Sequence, residues 1–180
     1  EALFTRNGLS GPIILDMSKE VGHLLKKGAV ELHLDFKPAL DFEKLDNRLL
    51  RDLQQFSNKE MKNIMNGLLP RKLIPMMLKK AEIDPEKKGH SVSRIERKRL
   101  RLLLKEFPLT VSGLTGFNKA VITSGGIALN EVDPTTMRSK KINNLFFAGE
   151  ILDLDGPTGG FNLQVCWSTG YLAGESAAQS

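Results

Sequence analysis

The sequence predicts a mixed fold: strands with a small helical bundle (α+β), followed by a carboxyl-terminal strand–loop–helix of α/β character. Three observations predict it. Residues 29–36, AVELHLDF, alternate apolar and polar side chains, the period of a half-exposed strand. Residues 41–107 carry four short apolar stripes at helical spacing. Residues 145–177 pass from an apolar run through a glycine-rich loop into a segment of small and apolar residues.

Taken in order, Glu1 to Thr5 reads as a strand and Gly8 to Pro12 as a turn opening a helix. Ser10 is the expected cap, and Pro12 suits the first turn, where its missing N–H costs nothing. Ile13, Ile14, Met17, Val21 and Leu24-Leu25 follow at helical spacing, with Gly28 as the stop. In the next strand Val30, Leu32, Leu34 and Phe36 face one way. Glu31, His33 and Asp35 face the other, and His33 is read as solvent-facing.

The helical region starts at Asp41, a cap for the stripe Phe42, Leu45, Leu49-Leu50, Leu53. Met61, Ile64-Met65 and Leu68-Leu69 predict a short second helix. Pro70 is the expected start of a third through Ala81, with Pro75 a candidate kink. Ser93 and Glu96 form a capping-box pattern for a fourth, striped by Ile95, Leu100, Leu103-Leu104 and Phe107. The methionines read as core filler. From Pro108 the pattern returns to strand, with Leu109 to Leu114 and Ala120 to Thr123 as short strands before Gly125-Gly126.

Charge and composition exclude several classes. No apolar run approaches the ~20 residues of a membrane span, and the amino terminus has no signal-peptide pattern. His23, His33 and His90 are scattered, so no metal site is expected. The single cysteine, Cys166, falls on the apolar stripe of the last helix and is read as structural, in keeping with a cytoplasmic setting. The net charge of +5 is concentrated in the middle: residues 37–107 carry eighteen Lys/Arg against ten Asp/Glu. The run Arg94, Arg97-Lys98-Arg99, Arg101 can contact phosphates, but no aromatic side chain interleaves it as a stacking platform. The reading is a solvated helical face, with nucleic acid not the expected partner.

The last stretch is the most informative. Leu145-Phe146-Phe147-Ala148 reads as a buried strand, with Gly149 and Glu150 at its end. The loop holds Gly156, Pro157, Gly159 and Gly160, and the helix starts near Phe161. A helix amino terminus behind glycines offers free N–H groups and partial positive charge to an anion or polarised carbonyl. A carboxylate at a strand's end suits sugar hydroxyls. The same pattern also fits an ordinary strand–turn–helix with glycines for close packing. No Ser/His/Asp set, paired carboxylates or Walker loop is seen, and no catalytic residue is assigned.

With the residues before it, this stretch resembles the carboxyl end of the BaiN-like (YhiN-like) bacterial FAD-dependent oxidoreductases. The resemblance rests on Thr123, Gly125-Gly126, Glu131-Val132-Asp133-Pro134, Thr136-Met137 and Ser139-Lys140. It continues through Phe147 to Glu150, Leu152-Asp153, Asp155-Gly156, Thr158 to Gly160 and Asn162-Leu163-Gln164. Phe4-Thr5 and Gly8-Leu9-Ser10-Gly11-Pro12 resemble an earlier family segment. The resemblance implies an FAD site in which Glu150 holds ribityl or ribose hydroxyls. N–H groups around Gly159, Gly160 and Asn162 would face the isoalloxazine, and Asp155-Gly156 would shape the loop. Gly149, Thr158, Phe161 and Leu163 would complete that site. Thr123, Gly125 and Gly126 would face the flavin or form a tight crossover. It further implies NAD(P)H as electron donor and a small-molecule substrate.

The family's amino-terminal G-x-G-x-x-G turn is absent. The expectation is therefore a carboxyl-terminal portion: residues 1–122 part of an inserted domain, its helical subdomain at about 41–107. Residues 123–180 would be the end of a Rossmann-like FAD domain. Such a chain would hold FAD weakly alone, pair with a missing amino-terminal half, and be open to self-association. The alternative is a non-catalytic domain whose basic helices are an interaction surface for protein or nucleic acid.

Overall fold

The computed structural model describes residues 2–180 and shows a mixed α/β protein with six α-helices and two small antiparallel sheets among them. The chain divides into two compact units, residues 29–111 and a discontinuous unit of residues 1–28 with 112–180.

The unit 29–111 opens and closes on one ladder. Strand β3 (Val30–Leu34) pairs antiparallel with β4 (Phe107–Val111), register Val30↔Val111 to Leu34↔Phe107. Glu31 and His33 are exposed, as their alternation predicts, and hydrogen-bond each other at 2.5 Å. The four α-helices of this unit lie between the two strands in sequence: α2 (Phe42–Gln55), α3 (Met61–Ile64), α4 (Ile74–Ala81) and α5 (Arg94–Lys105). Their stripes meet in one core. Leu45, Met65, Met77, Leu78 and Leu104 are fully buried there, and Phe107 closes it edge-on against Phe36 at 5.7 Å. The methionines are core filler, as expected.

Local chemistry sets the helix ends. The Asp41 carboxylate accepts from the Lys44 N–H at 2.7 Å. Ser93 and Glu96 complete a reciprocal box: the Ser93 hydroxyl accepts from the Glu96 N–H and the Glu96 carboxylate from the Ser93 N–H. Pro70 does not start the third helix. Residues Arg71–Leu73 form a 3-10 turn, α4 begins at Ile74, and Pro75 therefore sits in its first turn without a kink.

Burial pushes the Glu96 carboxyl up, but the Lys87 ammonium at 2.8 Å and the Ser93 N–H and hydroxyl outweigh it and hold the group at about 2. Its folded pKa lies below the ordinary value of 4.5, so its stabilisation is present above pH 4.5 and lost as pH falls towards 2. Urea unfolding of wild type and Glu96→Ala, monitored by helix ellipticity, should differ by about 1–2 kcal/mol at pH 6 and converge near pH 2. A gap independent of pH would remove this role from Glu96.

In the discontinuous unit, β1 (Leu3–Thr5) and β2 (Gly8–Ser10) form a hairpin with Leu3↔Ser10 and Thr5↔Gly8 in register. Ser10 is thus a strand residue and not the helix cap. Gly11, at φ +100°, precedes α1 (Pro12–Leu25), and its carbonyl accepts from the Ile14 and Leu15 N–H groups. Of the strand expected over Leu109 to Leu114, only the part to Val111 forms, as β4 of the other unit, and residues 112–114 and 120–123 pair with no strand. The unit's buried core is small: Val132, Met137, Leu152 and Ala173. The last helix, α6 (Phe161–Ala178), supplies Ala173.

The run Leu145–Ala148 is not a strand. Phe146 makes a single antiparallel bridge with Arg138, flanked by Ser139 N–H to Leu145 C=O and Phe147 N–H to Met137 C=O. The ladder stops there because the opposing segment turns: Asp133 ties back to Thr135, and Met137 has left-handed φ +58°. The Glu131–Lys140 motif is therefore a compact turn that delivers Met137 into the core. Its Asp133 carboxyl is held below the usual range by the Thr135 hydroxyl and N–H.

Candidate functional site

The candidate site is the loop 153–160 and the start of α6, built on the turn Gly149–Ile151. Gly149 adopts φ +73°, which a side chain disfavours, and a Cβ there would sit 3.5 Å from Cys166 Sγ. Its N–H donates to the Thr169 hydroxyl at 2.9 Å, so α6 holds this turn. Cys166 is half-buried against the turn, consistent with its structural reading. Glu150, next along, is exposed and makes no hydrogen bond or ion pair among the described residues.

Asn162 organises the loop. Its side-chain amide accepts from the Gly156 N–H at 2.8 Å and donates to the Gly156 carbonyl at 2.9 Å, a two-point clamp across six residues. Gly159 and Gly160 both have left-handed φ, +121° and +93°. Gly160 is the residue before α6, with no side-chain cap. Its carbonyl accepts from the Gln164 N–H, leaving the N–H groups of Phe161, Asn162 and Leu163 without intrahelical partners. A Cβ at Gly160 would meet nothing within 4 Å, so open space lies over this helix end.

Two further residues were not anticipated. Asp16 and Lys19, on α1, reach the loop: the Asp16 carboxylate accepts from the Thr158 N–H at 2.7 Å, and Lys19 pairs with Asp155. That hydrogen bond to Asp155 raises the Lys19 pKa against a smaller desolvation effect. Asp155 is thus a positioning group, and α1 fixes the loop from outside. Asp16 and Lys19 lie one helical turn apart, but nothing in the local pattern links them to residues over a hundred positions away.

Gly125 and Gly126 sit elsewhere in the arrangement. The Ile127 N–H donates to the Ile151 carbonyl at 2.8 Å, and the Asp153 N–H to the Ile127 carbonyl at 2.9 Å. A Cβ on Gly126 would come within 2.3 Å of the Ile151 oxygen. Gly126 therefore serves the tight crossover, one of the two roles open to it. Thr123 lies in the exposed loop before it. The geometry brings together Asp155, Gly156, Thr158 and Gly159 to Leu163, with Gly149 and Glu150 on the turn that α6 holds, while Gly126 lies against the Ile151–Leu152 backbone. No group of three or more potential metal ligands occurs among the described residues, and no helix there is long and apolar enough to cross a membrane.

The motifs in these turns, Glu131–Lys140 and Phe147–Gln164, are those that carry the family resemblance. A family model described as the HI0933-like protein barrel and H2TH domain matches residues 1–122. The chain belongs to the HI0933-like family. This is the BaiN-like (YhiN-like) family of the motif reading, a family of flavin-dependent oxidoreductases. Over 99% of its length the chain is 30% identical to the 3-dehydro-bile acid delta(4,6)-reductase of Clostridium scindens, covering 44% of that protein. It is 29% identical over 99% of its length to a ribosomal RNA dihydrouridine synthase of Haemophilus influenzae, covering 42% of it. Against the ribosomal RNA dihydrouridine synthase of Escherichia coli it is 27% identical over 96% of its length, covering 41%. The chain thus spans less than half the length of these HI0933-like relatives.

The site's residues fit a flavin. Glu150 has free acceptor capacity for hydroxyls, three N–H groups stand open at the start of α6, and the glycines leave the backbone bare. Several apolar side chains on this helix are also uncovered: Phe161 and Leu163 are each 58% exposed and Trp167 is 66% exposed.

Proposed function

We propose that this chain supplies the isoalloxazine- and ribityl-facing half of the FAD site of an oxidoreductase, reducing carbon–carbon double bonds conjugated to a carbonyl. The observation that carries it is the clamped Gly156–Asn162 loop in front of three unpartnered N–H groups. Glu150 accepts hydroxyl hydrogen bonds from the ribityl or ribose chain. The N–H groups of Phe161 to Leu163 and the dipole of α6 hold negative charge at the pyrimidine edge. The clamp and the α1 contacts fix these donors beforehand, so little reorganisation is left for the reaction. Bound FAD would supply hydride transfer, with NAD(P)H the proposed donor. The rest of a Rossmann-like FAD domain, including its pyrophosphate turn, would cover the exposed apolar face of α6.

Both kinds of relative support the reaction class. A 3-dehydro bile acid with delta(4,6) unsaturation and a uridine ring each present a C=C conjugated to C=O. In each case the product named or implied has that bond saturated. The test supplies FAD and NADPH to the chain together with the amino-terminal part of a family member. A conjugated steroid dienone and a uridine-containing RNA are offered separately, and saturated product is followed by mass. Saturation of one substrate, lost on omitting FAD, is expected. Saturation of neither by a folded, flavin-loaded assembly would sink the reading.

A further inference from the structure

One helix face lies outside the site described above. On α5, Arg94, Arg97, Lys98 and Arg101 occupy positions i, i+3, i+4 and i+7, a single face along two turns. They line a cleft of about 240 Å³ whose only acidic member is Asp46 of α2. Asp46 is shared: Arg97 donates to it through Nε at 3.1 Å and through a second guanidinium nitrogen at 3.3 Å, and Arg101 lies at 3.5 Å. Arg101 also stacks over Phe42 at 5.8 Å. Arg97 and Arg101 are therefore fixed. Arg94 and Lys98 are exposed at the cleft and form no ion pair among the described residues. Four cations face one carboxylate, so the cleft keeps a net charge of three positive.

The placement is costly for the free protein. Arg94 is the first residue of α5, where the helix dipole disfavours a cation, and Arg97 and Lys98 follow three and four residues on. A solvated face would more favourably carry such charge in the last turn. An anion in the cleft would relieve both the mutual repulsion and the dipole conflict. Phe42 packs against Arg101, but no aromatic side chain lines the cleft itself to stack a base, so the recognised chemistry is phosphate and not nucleobase.

We infer that this face of α5 is a docking surface for the sugar–phosphate backbone of RNA, with Arg94 and Lys98 reaching phosphates and Arg97 and Arg101 held ready by Asp46. The inference rests on the RNA arm of the function proposed above and departs from the solvated-face expectation. It gives sequence-independent affinity and leaves base selection to other parts of the protein.

The test uses the intact chain and a fluorescein-labelled RNA stem–loop, with anisotropy measured from low to moderate salt. Arg94→Gln and Lys98→Gln lie on the exposed side of α5, so the folded state is checked by ellipticity alone. Each should weaken binding several-fold and reduce the slope of log K against log salt by about 0.7–0.9, one phosphate contact. Lys72→Gln and Lys79→Gln, which remove equal charge elsewhere in the same unit, should leave the slope unchanged. No binding by wild type, equal losses from both variant pairs, or equally tight binding of poly-glutamate would each overturn the inference. No flavin enters this readout, so its failure leaves the flavin site untouched, and failure of the flavin site leaves it untouched.

Discussion

Gly126→Ala is expected to unfold the discontinuous unit while the helical unit stays intact. The new methyl group would stand 2.3 Å from the Ile151 carbonyl oxygen and 2.8 Å from the Leu152 carbonyl carbon, both backbone atoms. Relief requires separating the two segments, which breaks the Ile127–Ile151 and Asp153–Ile127 hydrogen bonds. Overpacking and two lost hydrogen bonds together cost about 3–4 kcal/mol. The core that must absorb this consists of four buried residues, Val132, Met137, Leu152 and Ala173. Trp167 is the chain's only tryptophan and belongs to the affected unit, so its fluorescence reports that unit alone. The tryptophan transition should move to much lower urea, taking the ellipticity of α1 and α6 with it, while the ellipticity that remains, from α2, α4 and α5, is lost at its wild-type midpoint. An unchanged tryptophan transition would show that Gly126 is not pinned by this crossover.

The second large effect falls on the cofactor. Gly160→Val should lower FAD affinity by roughly 100-fold, about 3 kcal/mol, in the chain combined with an amino-terminal family half. A valine at φ +93° is strained, and its branched Cβ would enter the open space before α6. The helical unit should be unaffected. Gly160→Ala, with one methyl group, should lose less. Wild-type FAD retention by the valine variant would place the flavin away from this helix end.

How much of this was legible in the sequence depended on how local the cause was. The helices of residues 41–107 could be read because each stripe buries itself within a few turns, and the Ser93–Glu96 box spans three positions. The alternation of β3 was equally plain, since one face had to be buried and the other not. Leu145–Ala148 misled because apolar content resembles a buried strand, whereas pairing depends on its neighbour, and that neighbour turns at Met137. Ser10 misled for a similar reason, since its pairing with Leu3 competes with capping. At the site, the glycines and Glu150 were visible as types suited to a cofactor. The Asn162 clamp was not, because it depends on the path of the loop across six residues, and the Asp16 and Lys19 contacts and the Gly126 approach were not, because they depend on tertiary proximity that no spacing rule records.

The most direct measurement is the visible spectrum of the purified chain after incubation with excess FAD and desalting, alone and with the amino-terminal half of a family member. The account predicts little flavin retained by the chain alone and near-stoichiometric flavin absorbance with the added half. Folded pieces that retain no flavin together would contradict it.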